Sequence, residues 1–190
     1  MGHIFYLHGF ASGPKPQSPK VALLRELGHQ VRCLDTGGNY RSADYLNALY
    51  TTVRRSAFPD LLVGTSLGGF WARYFGVQLD CPWVALNPAL HPSQTLARTT
   101  GTLQRFDVDA TFAWSDSNAS AYLPFEDRWL DSEVPGLIIA AADDDVVDAE
   151  ETRRLCGRSR FVKLPRGGHA LANIDDYADL LADFIASVVR

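Results

Sequence analysis

The sequence predicts an α/β fold, with a six-stranded, mostly parallel sheet and helices on both faces. Two observations indicate this. Short apolar runs alternate along the chain with longer amphipathic segments, which is the order expected of strand–helix–strand units. One run, Leu61–Val63, is apolar without interruption, as expected of a parallel strand buried on both faces. The 190 residues, 46% of them hydrophobic and 21% charged, suit a single domain over residues 1–190.

The first third of the chain supplies three of the strands and two of the helices. The predicted strands are Ile4–Leu7, Gln30–Leu34 and Leu61–Val63. The first helix starts at Pro19, with Ser18 as its N-cap, because proline suits the first helical turn and serine can accept from a free backbone N–H. The second helix spans about Ser42–Ala57, where apolar residues recur at helical spacing.

The rest of the chain continues the alternation. The predicted strands here are Trp83–Leu86, Leu137–Ala142 and Phe161–Leu164, and the predicted helices are Phe70–Val77, Asp148–Cys156 and about Ile174–Val189. The last helix carries a regular apolar stripe, which is typical of a helix packed on a sheet.

One segment, about residues 91–134, interrupts the alternation because it has no clear strand. It is rich in aromatic residues, namely Phe106, Phe112, Trp114, Tyr122, Phe125 and Trp129. Long segments without regular structure in a compact domain are often functional, so we interpret it as a short lid insertion over the C-terminal edge of the sheet. The alternative is a helix and a long loop packed elsewhere.

Charge and composition disfavour several partner classes. The net charge is −4 and the arginines are dispersed, which disfavours nucleic acid and anionic membranes as partners. No apolar run approaches the ~20 residues needed to span a bilayer, and the start of the chain does not look like a signal peptide.

Cys33, Cys81 and Cys156 are odd in number and widely spaced, which predicts buried or half-buried thiols in a reducing, cytoplasmic setting and no metal site.

The motif Gly64-x-Ser66-x-Gly68 follows a predicted buried strand and opens a predicted helix. A nucleophilic serine on a tight strand-to-helix turn needs small neighbours, and this context makes the short motif informative. We therefore predict that Ser66 is a nucleophile. The backbone N–H of Leu67, at the N-terminus of the helix, would then stabilise an oxyanion.

The motif His8-Gly9-Phe10 follows the first predicted strand. An oxyanion hole needs a second backbone donor beside the nucleophile, and this turn can place the N–H of Phe10 there. We favour a bracing role for the His8 ring over proton transfer, because a better placed histidine lies downstream.

That histidine is His169, in Gly167-Gly168-His169 between the last strand and the last helix. Its loop follows a parallel strand, so its ring can reach the C-terminal edge of the sheet as a general base. The remaining histidines, His3, His29 and His91, lack such a setting and are expected to be structural or surface residues.

A run of aspartates, Asp143–Asp145 with Asp148, follows the fifth predicted strand. One carboxylate here would orient His169, and the chain order serine, aspartate, histidine is that of the α/β-hydrolase triad. Asp148 suits the N-cap of the next helix, with Glu151 completing a capping box. Asp145 should face solvent and Asp143 can still belong to the strand, so Asp144 is our choice, with Asp143 and Asp145 as alternatives.

Taken together, these segments make the chain resemble a small α/β-hydrolase, and more closely the YqiA/YcfP-type (UPF0227) esterase family. The resemblance rests on residues 6–14, the Gly64–Gly69 turn, Asn87-Pro88-Ala89, Asp144–Asp148 and Gly167–His169, nearly end to end. It implies Ser66 as nucleophile, His169 as base and a triad acid in a D-x-V-[LV]-D stretch whose first position is Asp144. It also implies a chain without the first two strands of larger hydrolases. The extra Asp143 departs from the family pattern.

The sequence therefore predicts a serine esterase or thioesterase acting on small acyl substrates through Ser66, His169 and Asp144. No metal or organic cofactor is expected, and the partner is a small-molecule ester or thioester. An acyltransferase would use the same triad, and a non-catalytic scaffold would share the fold, so both remain alternatives. The sequence does not predict the oligomeric state.

Overall fold

The computed structural model of the protein describes residues 1–126 and 132–189. Its strands are β1 His3–Leu7, β2 Gln30–Cys33, β3 Leu61–Thr65, β4 Trp83–Leu86, β5 Gly101–Gln104, β6 Thr111–Trp114, β7 Gly136–Ala141 and β8 Arg160–Leu164. Six of them form one sheet in the order β2-β1-β3-β4-β7-β8, and every neighbouring pair is parallel. The predicted sheet is thereby confirmed.

Helices cover both faces of this sheet. They are α1 Pro19–Glu26, α2 Ser42–Arg55, α3 Leu67–Leu79, α4 Pro92–Thr95, α5 Asp116–Ser120, α6 Ala149–Arg154 and α7 Ala178–Val188. Side chains of β1 alternate between two cores: Phe5 and Leu7 belong to the core with α2 and α3, and Ile4 and Tyr6 to the core with α1 and α7. The central strands β1, β3, β4 and β7 are buried on both sides because they are apolar at nearly every position.

Local sequence explains where several helices begin. The Ser18 side chain accepts from the N–H of Val21 ahead of Pro19, as predicted. Asp148 caps α6 by accepting from Glu150 and Glu151. Among the described residues, the Glu151 carboxylate does not accept the predicted capping-box bond from the backbone N–H of Asp148; it lies 3.6 Å from Nδ1 of His91.

The last helix differs from its prediction of Ile174–Val189. A short 3-10 helix occupies Ile174–Asp176, and α7 begins only at Ala178. Between them Tyr177 has a φ of −138°, outside the helical range, and its hydroxyl donates to the carbonyl of Leu171. The apolar periodicity of the sequence continues through Tyr177, so the sequence pattern does not reveal the break in the helix.

The segment 91–134 contains a β-hairpin, which corrects the expectation that it has no strand. Its strands β5 and β6 pair antiparallel, with Leu103 opposite Phe112. The N–H of Arg105 donates to the carbonyl of Ala110, which closes the connecting loop. The segment also holds α4, α5 and 3-10 helices at Leu96–Arg98 and Leu123–Phe125. Trp129 lies outside the described residues.

The hairpin loop contacts the loop that follows β1. The backbone N–H of Phe106 donates to the carbonyl of Ala11, and the rings of Trp114 and Phe10 lie 4.8 Å apart between centroids. The segment thus lies next to the C-terminal ends of the central strands. Its action as a lid, and the assignment of residues 1–190 to one domain, stay predictions.

The three cysteines are free thiols, buried at Cys81 and half-buried at Cys33 and Cys156, as the sequence predicted. Within residues 1–126 and 132–189, no helix combines the length and apolar composition that crossing a bilayer requires.

Candidate active site

Ser66 occupies the sharp turn between β3 and α3, with φ 54° and ψ −121°. This left-handed conformation is rare for a residue other than glycine and stores strain. The flanking glycines explain how the turn closes. A Cβ atom at Gly64 would collide with the carbonyl of Gly68, and one at Gly68 would collide with the carbonyl of Leu7. The G-x-S-x-G pattern is therefore a steric requirement of this turn.

The imidazole of His169 lies against this serine. It belongs to the loop after β8, in which Gly167 and Gly168 have φ values of +144° and +55°. These angles favour glycine and turn the chain back over the sheet edge. The Nε2 atom of His169 lies 3.0 Å from the Oγ atom of Ser66, which is hydrogen-bond distance.

Asp144 contacts the other nitrogen of the same ring. Its two carboxylate oxygens lie 3.0 and 2.9 Å from Nδ1 of His169, and its side chain is only 1% exposed. Burial opposes its ionisation. Hydrogen bonds from His169 and from the N–H groups of Val147 and Val146 outweigh that cost and hold the pKa of the carboxyl below its usual value. The structure thus brings Ser66, His169 and Asp144 into one continuous chain of hydrogen bonds.

Among the described residues, the neighbouring aspartates Asp143 and Asp145 make no hydrogen bond with the His169 ring. Asp145 is exposed, as predicted. Asp143 lies beyond the end of β7, so it is not held in the strand ladder. Its Oδ1 atom accepts from the N–H of Gly168 at 2.8 Å. The additional aspartate therefore helps hold the loop that carries His169.

Asn87 lies directly after β4, and the sequence predicts no role for its side chain at the site. Its side-chain Nδ2 donates to the carbonyls of Gly168 and His169 at 2.8 and 3.0 Å. Its Oδ1 accepts from the N–H of Ala141, the last residue of β7, also at 2.8 Å. Asn87 is 1% exposed and has a φ of +42°, which asparagine tolerates better than most residues. It ties the ends of two strands to the His169 loop.

The predicted oxyanion donors belong to two segments that meet at Ser66, the start of α3 and the loop after β1. Leu67 is the first residue of α3, where backbone N–H groups have no partner within the helix. Gly9 approaches the serine so closely that a Cβ atom there would lie 3.3 Å from the Cβ of Ser66. Within residues 1–126 and 132–189, the N–H groups of Phe10 and Leu67 donate to no protein acceptor. Leu67 is fully buried, so the donor roles of these two N–H groups stay predictions.

His8 is 5% exposed and serves the loop rather than the serine. Its Nδ1 lies 3.1 Å from the carbonyl of Gly9, its Nε2 lies 3.5 Å from the hydroxyl of Thr36, and its own carbonyl accepts from Tyr45. Burial lowers the pKa of the ring, with the hydrogen bond to Gly9 opposing the shift. These contacts agree with a bracing role.

An open cleft of about 460 Å³ leads to the Ser66–His169 pair. Leu96, Phe106 and Val146 give it an apolar wall, and segment 91–134 supplies the first two of these. Of the histidines, His8 and His169 line this cleft, while His3, His29 and His91 do not. Among the described residues, no three His, Cys, Asp or Glu side chains are grouped as a metal site requires.

Comparisons with known proteins agree with this architecture. A family model described as "Uncharacterised protein family (UPF0227)" matches residues 3–186. A UPF0227 protein of Shewanella sp. strain MR-7 is 26% identical over 153 residues, which cover 78% of this chain and 79% of the relative.

Solved structures extend the likeness to the fold. Est1E from Butyrivibrio proteoclasticus superposes with a TM-score of 0.76 at 16% identity, over 98% of this chain and 88% of that one. A monoacylglycerol lipase of Paleococcus ferrophilus gives a TM-score of 0.77 at 15% identity, over 97% and 94% of the two chains. At these identities the likeness establishes the fold, which is that of the α/β-hydrolases.

Proposed function

The chain belongs to the UPF0227 family, and we propose that it is a serine hydrolase that cleaves carboxylic esters or thioesters of small acyl groups. One observation carries the proposal: the Ser66 hydroxyl, the His169 ring and the Asp144 carboxylate are connected by contacts of 2.9–3.0 Å. The structural neighbours that are named as an esterase or a lipase support the same reaction class.

In the first half of the proposed reaction, Ser66 attacks the acyl carbonyl. Its Oγ lies next to Nε2 of His169, which takes the hydroxyl proton as the new C–O bond forms. The ring becomes a cation, and the Asp144 carboxylate at Nδ1 both fixes the tautomer and stabilises that charge. The protonated ring then gives its proton to the departing alcohol or thiol, which leaves an acyl-serine.

Water completes the reaction in the second half. His169 takes a proton from a water molecule that attacks the acyl-serine, then returns it to Ser66 as the acid is released. The side chain of His169 is 29% exposed, so water has access to the ring in the open cleft. Every proton in both halves passes through one nitrogen, and no metal or organic cofactor is needed.

The tetrahedral intermediates carry a negative oxygen, for which the N–H groups of Phe10 and Leu67 are the proposed donors. The N-terminus of the 13-residue helix α3 adds a favourable dipole at Leu67. Removing one such donor typically costs about 3–4 kcal/mol of transition-state stabilisation. Asn87 and Asp143 touch no reacting atom in this scheme, and they act as positioning residues.

A fluorophosphonate probe tests the proposal. We expect stoichiometric labelling of the folded protein at Ser66, located by peptide mass spectrometry, together with hydrolysis of short p-nitrophenyl esters. Ser12 lines the same cleft and provides a matched control. S12A should keep labelling and hydrolysis, whereas S66A should lose both.

Failure of the folded wild-type protein to be labelled would overturn the proposal in favour of a non-catalytic scaffold. A panel of oxygen esters and matched acyl thioesters, with and without an added acceptor alcohol, separates esterase, thioesterase and acyltransferase activity. Localisation in the cytoplasm stays a prediction from composition.

A further inference from the structure

Lys15 and Lys20 line the same cleft as its apolar residues. The chain contains only three lysines, and these are two of them. Building on the proposed function, we propose that the cleft selects esters whose acyl chain carries an anionic group, such as a carboxylate or a phosphonate, held by Lys20 and Lys15.

Lys20 is anchored to the loop that carries His169. It lies in the first turn of α1, and its Nζ donates to the carbonyl of Ala170 at 2.5 Å. Ala170 directly follows His169, so the ammonium lies beside the loop that carries the base. An ammonium has three N–H donors, and this contact uses one of them. Two remain for the oxygens of a ligand.

The charge of the two lysines is not neutralised within the cleft. The chain has 22 acidic residues, yet none of the described residues that line the cleft is Asp or Glu. Lys163, the third lysine, shows the usual alternative, because it pairs with Glu150 at 2.5 Å on the surface. In the part of the chain that the structure describes, no carboxylate lies within 4.0 Å of the Lys15 or Lys20 ammonium.

Asp107 is a carboxylate whose charge acts on Lys15, and its two oxygens are already bound by Arg105. Arg105 binds both of its oxygens, through Nε at 2.9 Å and Nη2 at 2.6 Å. Hydrogen bonding to Arg105 is the main reason that the pKa of Asp107 lies below its usual value, with Lys15 a minor cause. The cleft therefore presents net positive charge in a protein whose overall charge is −4.

Burial supports the same conclusion for Lys20. It lowers the pKa of the ammonium to about 8, and the positive charge of Lys15 adds to the shift. A bound anion would relieve this cost, because an opposite charge nearby favours the protonated amine. The apolar residues of the cleft suit the alkyl chain between the ester and the anionic group.

Matched substrates test the proposal: p-nitrophenyl adipate, which has a free terminal carboxylate, and its methyl ester, which is neutral and of similar length. A p-nitrophenyl ester with a terminal phosphonate distinguishes the two kinds of anion. We expect the wild-type protein to favour the anionic esters by about tenfold or more in kcat/KM, since a hydrogen bond to a charged group is worth that much.

Three variants locate the effect. K20M and K15M remove one charge each at similar side-chain length, and each should reduce the anionic-to-neutral ratio severalfold, mainly through KM. K163M removes a lysine outside the cleft and should leave the ratio unchanged. Loss of the Ala170 contact in K20M can slow the hydrolysis of both esters alike. The measure is therefore the ratio of kcat/KM for the anionic and the neutral ester, and not the absolute rate. Within the described part of the chain, Lys15 makes no hydrogen bond with Ala170, so K15M is free of this complication.

The pH dependence provides a second readout. As the pH rises from 7 to 9, Lys20 loses its proton, and the wild-type preference for the anionic ester should fall while that of K20M stays flat. Lys15, Tyr6, His8 and His169 also line the cleft. The neutral ester, measured at each pH, corrects for their effects on the chemical steps.

A wild-type protein that hydrolyses both esters without preferring the anion, or a preference that survives in both K15M and K20M, would overturn this inference and leave the proposed function standing. Binding to S66A separates the two proposals further. By calorimetry, monomethyl adipate should bind more tightly than dimethyl adipate even if no ester is turned over. Equal affinities would refute anion selection independently of catalysis.

Discussion

Replacing Asn87 with alanine tests how much of the site depends on a residue that touches no reacting atom. The substitution removes three hydrogen bonds of 2.8–3.0 Å, two to the His169 loop and one from the end of β7. At about 1 kcal/mol per bond, and more for the buried Ala141 N–H left without a partner, N87A should lose about 3–4 kcal/mol of unfolding free energy. For a chain of this size that corresponds to a fall of about 10 °C in Tm.

The catalytic effect of N87A should appear in kcat. Without the Asn87 amide, the carbonyls of Gly168 and His169 lose their anchor, and the ring can move away from Ser66. A displacement of about 1 Å can cost about 100-fold in rate. Asn87 does not line the cleft, so KM should change little. The assay is steady-state hydrolysis of a p-nitrophenyl ester well below the Tm of the variant, with labelling by fluorophosphonate as a second measure.

One further variant separates the loss of the amide from the backbone strain at position 87, and a second serves as a control. N87G removes the amide and also relieves the positive φ, so it should resemble N87A, with up to about 1 kcal/mol recovered. N47A alters an exposed asparagine of α2 and should match the wild-type protein. The reasoning is refuted if N87A keeps its Tm within 2 °C and its kcat within a factor of about two. The loss of one hydrogen bond worth about 1 kcal/mol would already change both quantities by more.

The remaining predictions concern the proposed catalytic groups. S66A should lose about 10⁴–10⁶-fold in kcat while keeping its circular dichroism spectrum and Tm, and retained ester hydrolysis would contradict a serine mechanism. H169A should be nearly as damaging, whereas H8A should be clearly milder; equal losses with an intact fold would reverse the roles of the two histidines. D144N should lose up to about 10⁴-fold in kcat, because it disfavours the tautomer and the cation that the ring needs. D143N keeps an oxygen that can accept from the N–H of Gly168, so it should stay within about threefold; the opposite ranking in a stopped-flow or steady-state assay would move the acid to position 143.

The sheet and the candidate site could be predicted for one physical reason. In a parallel sheet the C-terminal ends of the strands meet at one edge, so residues that follow separate apolar runs converge there. Ser66, Asp144 and His169 each come after such a run, and their grouping needed no knowledge of side-chain detail. Asp148 could be set aside because a helix start explains it.

Other features depend on contacts that no local pattern encodes. Asn87 gains its importance from carbonyls about 80 positions away, and a lone asparagine after a strand reveals nothing of them. The hairpin β5–β6 has strands of four residues each, too short for alternation to be distinguished from chance. The break at Tyr177 is fixed by a hydroxyl-to-carbonyl bond within an unbroken apolar stripe.

The packing of Phe10 bears on how such a site could be re-engineered. Its ring lies 4.8 Å from Trp114 and 5.4 Å from Phe112, both on β6, while its backbone N–H is a proposed oxyanion donor. The hairpin is therefore not an independent module. Grafting a different hairpin to change substrate preference would also shift the donor, so specificity and rate should change together unless residues 8–13 are exchanged with it.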